Sequence, residues 1–244
     1  MVRLFVSGHA KLGIEVISGY ERLIASRITD ARIKPLKDKD REIVATTHQS
    51  SIRQLIQWLG NPDKKKRLLS LQGPPGSSTS SILAYANKIC QDTDSLAVAT
   101  FSFDESHTSD FLVKHLCATV IHDLAQRVPR LLENLHLVCR DVERTGRTDA
   151  VKKTIATQVE GILAPAFSLT DRAGQAGPLL VLLDKIDHAP EESKKEIQEF
   201  IKTCLRNIQS MYFITTIAIR GDTKQNILAD PGLGTEVQVV DVAA

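Results

Sequence analysis

From residue 68 onward, short apolar runs alternate with longer stretches in which apolar side chains recur every three or four positions. Strand signals alternating with helix signals predict an α/β domain built on a mainly parallel sheet. Four buried strands are expected, at residues 68–72 (LLSLQ), 97–101 (AVATF), 179–183 (LLVLL) and 212–217 (YFITTI). Helices are predicted between them, at about 80–91, 110–127, 150–167 and 191–209. The clearest is 110–127, where Leu112, Leu116, Val120 and Leu124 follow at steps of four on one face. Ahead of the first strand, Ser50 or Ser51 can cap a helix carrying Ile52, Leu55, Ile56 and Leu59, which Gly60-Asn61-Pro62 ends. The charged residues 63–67 and the Gly-rich stretch 171–178 read as loops, and there is no internal repeat.

The polar, Pro-containing run KPLKDKDRE at residues 34–42 has the composition of a linker. It divides the chain into an N-terminal extension, residues 1–45, and a main domain, residues 46–244. Charge divides farther along the chain, at the first strand. Residues 1–67 carry 14 Lys/Arg against 7 Asp/Glu, whereas the remainder is acidic in balance, although the whole chain has a net charge of only +2. A basic arm suits nucleic acid, an anionic membrane or an acidic partner, but it suits a solvated surface as well. Its few aromatics, Phe5, Tyr20 and Trp58, argue against single-strand binding, so nucleic acid is not the expected partner. No run reaches the roughly 18 apolar residues of a membrane span, and the opening residues break before a secretory signal forms, which places the chain inside the cell. Cys90, Cys117, Cys139 and Cys204 stand singly, without the spacing of a zinc site or a disulfide framework.

The chemistry-bearing stretch is LLSLQGPPGSSTSSILA, residues 68–84. A buried strand entering a Gly/Pro/Ser turn and then a helix is the layout of a phosphate-binding loop, in which backbone N–H groups and a helix N-terminus face an anion. Measured against G-x-x-x-x-G-K-[ST], Gly73 fits the first glycine and Ser80 the terminal hydroxyl, with Pro74, Pro75, Gly76, Ser77 and Ser81 completing the turn and first helical residues. Ser78 stands at the second glycine and Thr79 at the lysine, and no lysine occurs between residues 68 and 87. A charge-assisted contact to phosphate contributes about 1.5–3 kcal/mol, so its loss weakens triphosphate binding roughly ten- to a hundredfold. The same residues also fit an ordinary strand-to-helix turn of some other α/β protein.

Further landmarks follow in order: SIRQLIQWL, AVATFSF, HLCATVIHDLA, LLVLLDKIDHA and YFITTIAIR. With them, residues from about 46 to 221 resemble the NACHT domains of the STAND class of P-loop NTPases, in particular the fungal nephrocystin-like N-terminal domains. The resemblance implies a three-layer P-loop NTPase sandwich, here with an N-terminal helical or linker extension, and a main domain truncated soon after its sensor strand. It implies binding of ATP or ADP with Mg²⁺, protein partners or self-association, and a role in signalling. It assigns Asp184, with Ser80, to the metal position, Asp187 to the second acidic position, and Thr215 and Thr216 to the sensor pair. His188 replaces the glutamate that would activate water, and Ile217 replaces the sensor arginine, with Arg220 three residues beyond. Three charged groups are thus altered at three separate places, as in a folded domain that binds nucleotide weakly and hydrolyses little or none. Two alternatives stand: a slow ATPase or GTPase that uses Ser80, Asp184 and Asp187 with a lysine borrowed from elsewhere, and a structural domain that binds no nucleotide. His107, His115 and His122 are too spread along the chain to share one ion, and no GxSxG elbow of a serine hydrolase is present.

Overall fold

A computed structural model of the chain describes residues 32–61, 66–93, 96–128, 130–147, 153–172, 177–219, 233 and 237–243. Residues 1–31 of the basic arm, the core of the Gly-rich loop at 173–176, and Arg220 lie outside the described residues.

Strands β1 (Leu68–Gly73), β2 (Ala97–Ser102), β3 (Leu179–Asp184), β4 (Met211–Ala218) and β5 (Val237–Asp241) form one parallel sheet in the order β2-β3-β4-β1-β5. The first four coincide with the expected apolar runs. β1 and β3 are buried at every position, because a parallel sheet is covered on both faces and its strands read as continuous apolar runs. β5 is an addition to the four expected strands. Only Val237 and Val240 of its five residues are buried, so it carries a weak apolar signal.

Parallel neighbours need crossovers, and helices provide them. Helices α1 (Asp38–Thr47) and α2 (Gln49–Leu59) precede β1, α3 (Thr79–Gln91) joins β1 to β2, and α8 (Glu191–Asn207) joins β3 to β4. Between β2 and β3 lie α4 (Ser109–Ala125), α5 (Leu131–Arg144), α6 (Ile155–Gln158) and α7 (Ala164–Arg172), the last two joined by a π-helical turn, Val159–Leu163. The helix expected at 150–167 is therefore the composite of α6, the π turn and α7, and it runs on to Arg172.

Three expectations need correction. The linker-like run at 34–42 becomes helical at Asp38. α1 buries only Val44 among its large apolar residues, too few to signal a helix against so many charges. Ser50 and Ser51 do not cap α2; it begins at Gln49 without a side-chain cap, and Ser51 is a buried helical residue. The helix expected to reach residue 209 ends at Asn207.

Alternate residues feed two apolar clusters, one on each face of the sheet. Leu179, Val181, Leu183, Met211 and Phe213 pack with α4 to α8, while Leu180, Leu182 and Ile214 pack with α1, α2 and α3. Ile33 and Val44 join the second cluster, so residues 33–47 are held onto the main domain. All five strands point the same way, which brings their carboxyl ends to one rim, the usual place for ligands in an open α/β sheet.

Candidate phosphate-binding site

At the rim, β1 ends in Gly73 and the chain turns through Pro74-Pro75-Gly76-Ser77. Ser77 N–H donates to Pro74 O at 2.9 Å, and Gly76 has φ +86°. Pro at the second position and a positive-φ Gly at the third are the signature of a type II turn. Gly73 is required for a different reason. A Cβ there would lie 2.6 Å from Val242 O and 2.4 Å from Ser77 Oγ, so only glycine lets the turn fold back this closely.

The turn delivers the chain into α3, whose first helical bond runs from Ile82 N–H to Ser78 O. Thr79 N–H is taken by Ser77 O at 2.7 Å. The N–H groups of Gly76, Ser78, Ser80 and Ser81 have no protein acceptor among the described residues. Such orphan donors at a helix start form an anion cradle. Ser77 Oγ is likewise buried without a partner, so the residues present fit a phosphate group. Pro74 and Pro75 are exposed and carry no N–H to contribute.

Asp184 closes β3 and is only 4% exposed. Its Oδ1 accepts from Ser80 Oγ at 2.8 Å and from Thr216 Oγ1 at 2.6 Å. Thr216 Oγ1 itself accepts Lys185 N–H at 2.7 Å, which directs its hydroxyl proton toward Asp184. The loop after β1 and the tip of β3 thus meet through one carboxylate, although β4 lies between their strands. Ser80 and Asp184 are oxygen donors of the kind Mg²⁺ prefers, with phosphate oxygens and water completing its shell.

The other residues marked by sequence fall on different sides of the rim. Thr215 and Thr216 alternate across β4. Thr216 meets Asp184, while Thr215 is fully buried with Oγ1 3.5 Å from Leu69 O on the other face. Thr79, at the lysine position, is a 6% exposed side chain at the foot of α3. Asp187 sits in the 3₁₀ turn Ile186–His188, where Oδ1 accepts Ala218 N–H at 2.9 Å; His188 Nε2 lies 3.7 Å from Oδ2, which has no hydrogen bond. Ile217 packs into the core.

The sequence matches the family model described as Nephrocystin 3, N-terminal, over residues 48–216, more than half of the chain. The chain belongs to the nephrocystin 3 N-terminal family. Among solved structures, this nephrocystin-type domain is similar to a chain in Drosophila ORC bound to poly(dA/dT) DNA and Cdc6, with a TM-score of 0.50 and 11% identity over 100% of this chain and 36% of that one. A chain in Drosophila ORC bound to AT-rich DNA and Cdc6 aligns with a TM-score of 0.47 and 11% identity over 84% of this chain and 61% of that one. C. elegans PCH-2 aligns with a TM-score of 0.34 and 11% identity, over 86% of this chain and 44% of that one. These likenesses concern fold alone, and the nephrocystin-type chain spans less than two thirds of each of those longer chains. No curated protein matches the sequence. The parallel five-stranded sheet with helices on both faces, together with the family match, gives the chain a P-loop NTPase fold. Among the described residues no helix is long and apolar enough to cross a membrane.

Sequence reasoning missed the rim's outer contributors, Lys185 and residues 32–36, which line a cleft with Ser80 and Asp184. A lysine directly after a strand-ending aspartate was visible in the sequence. The approach of residues 32–36 was not.

Past the end of β2, His107 is 8% exposed and stacked on Phe111 at 4.2 Å, with Nδ1 accepting Asp104 N–H. Burial pushes its imidazole below the ordinary 6.5, against the opposing pull of the Asp104 charge. A histidine lowered on folding gives stability that is complete above the unfolded value and declines as pH falls through it. Urea melts should therefore show a loss of stability below about pH 6.5, and His107→Phe should flatten it; an unchanged slope in that variant would assign the effect elsewhere.

Proposed function

We propose that residues 46–244 are a nucleotide-binding or scaffold module that holds ATP or ADP weakly and turns it over little or not at all. Its setting is intracellular signalling through protein partners or self-association. One observation supports the reading: Ser80, Asp184 and Thr216 are bonded together at the foot of α3, where the N–H groups of Ser80 and Ser81 are unpaired among the described residues, while on the resemblance Thr79 stands at the place of the cation and His188 at that of the water-activating carboxylate. Ser80 and Asp184 would hold Mg²⁺, which would neutralise phosphate charge when bound. Thr216 fixes the Asp184 oxygen that faces Ser80. The cradle's N–H groups orient phosphate without needing a side-chain cation, so binding outlives the lost lysine while transition-state stabilisation suffers.

Thermal-shift titration with ATP, ADP and Mg²⁺ tests this. Ligand at about 100 Kd stabilises by about 2.7 kcal/mol, and the weakened site should shift only at high nucleotide concentration. Ser78→Gly with Thr79→Lys should raise affinity roughly ten- to a hundredfold. Silence of both proteins at millimolar nucleotide would leave the purely structural alternative.

The orphan Asp187 Oδ2 beside His188 favours a second reading, a slow hydrolase in which the imidazole takes a proton from water. Phosphate release above background that disappears in His188→Ala would establish it. Release equal to a protein-free blank excludes it.

A further inference from the structure

The cleft over Ser80 and Asp184, about 410 Å³ in volume, is lined by Ser80, Ser81 and Ala84 at the foot of α3 and has a further wall outside the phosphate loop. Residues 32–36, the segment leading into α1, form it. Three anchors hold this strap. Arg32 bonds Asp123 at 2.5 and 3.1 Å, Ile33 is 7% exposed in the apolar cluster under α3, and Leu36 packs against the same cluster. Lys34 stands between the anchors, exposed, with no hydrogen bond or ion pair among the described residues.

Lys185, directly after Asp184, lines the same cleft. Its backbone is left-handed, φ 58° and ψ 46°, a conformation that costs a non-glycine residue energy and persists only where the surroundings enforce it. Here the Lys185 N–H bond to Thr216 Oγ1 contributes to that hold. The Lys185 side chain is exposed and also has no partner among the described residues. Two unpaired ammonium groups therefore flank a cleft that contains the Ser80 hydroxyl and the buried Asp184 carboxylate. Asp184 Oδ2 accepts no hydrogen bond among the described residues, as both of its bonds fall on Oδ1.

We propose that Lys34 and Lys185, which both line this cleft, supply the positive charge that Thr79 cannot give, so that the phosphate groups of a nucleotide are gripped between the foot of α3 and the strap. The inference rests on reading the turn after β1 as a phosphate cradle. A compact ammonium on a four-carbon stem reaches a phosphate from either wall, and two such charges balance an anion placed beside Asp184. The grip needs no contact to a base, so the ligand class is a di- or triphosphate chain.

Calorimetric titration with ATP and with inorganic tripolyphosphate, at fixed ionic strength, tests it on the full chain. Lys34→Gln and Lys185→Gln remove the charge while keeping a polar side chain and, both positions being exposed, leave the fold intact. Each should weaken both ligands by roughly tenfold or more, and Lys34→Arg should restore most of the loss at position 34. If the parent protein binds and both Gln variants bind within twofold of it, the cradle stands and this inference falls. The inference also falls if the parent is silent while Ser78→Gly/Thr79→Lys binds, since the two lysines then do not replace the missing one. Silence in the parent and the repaired variant alike removes the cradle itself.

Discussion

Gly73→Ala is expected to destabilise the fold by about 1–3 kcal/mol, toward the upper end, as measured by urea denaturation. The cause is space, not backbone freedom. The added carbon would lie 2.4 Å from Ser77 Oγ and 2.6 Å from Val242 O, and the second of these is backbone. Val242 cannot withdraw freely, because its N–H donates to Gln72 O at 2.6 Å and so holds the chain beyond β5 against the end of β1. A Ser77→Gly change in the same protein relieves the first clash and leaves the second, so rescue should be partial. Gly76→Ala makes a contrast: open space surrounds that position, and its cost of about 1–2 kcal/mol comes from φ +86°. A Gly73→Ala protein that melts with the parent would refute the close approach of the β5 extension to the phosphate loop.

Asp123→Ala should cost about 3 kcal/mol. This carboxylate is 7% exposed near the end of α4 and does two tasks at once. Oδ2 accepts the N–H of Thr100 in β2 at 3.2 Å, and both oxygens receive the Arg32 guanidinium. Alanine leaves a buried N–H of the outer strand unpaired, at about 1–3 kcal/mol, and releases the strap. Asp123→Asn keeps an acceptor for Thr100 and loses the charge and one of the two acceptors for Arg32, so its cost should be smaller, because Arg32 is about one-third exposed and its pairing is screened by water. Equal costs for the two substitutions would show that the charge pair, and not the Thr100 bond, dominates.

The parts legible in the sequence are those whose signal is local. Four strands stand out because burial on both faces makes each a continuous apolar run, and Leu179 to Leu183 is the plainest case. α5 was equally legible, since Leu131, Leu135, Val138, Cys139 and Val142 recur at helical spacing, yet it lay outside the expected elements. α1 and β5 were not legible: one has a single large buried apolar residue among charges, and the other buries only two of five residues. At the site, motif order singles out Ser80 and Asp184, and Ser80 Oγ donates to Asp184 Oδ1 at 2.8 Å. Which threonine of 215 and 216 meets that carboxylate depends on the face β4 presents, and sequence order does not fix that. The strap is the least legible part, for Arg32 and Asp123 are 91 positions apart and neither belongs to a motif.

β1 has a neighbour on each side, β4 and β5, so the strand that carries the phosphate loop is an interior strand. The strap facing it is attached through one ion pair and a few apolar contacts. The two jaws of the cleft therefore differ in compliance. Strain imposed on the cleft would be taken up first on the side of residues 32–36, with the sheet as the stiffer anvil.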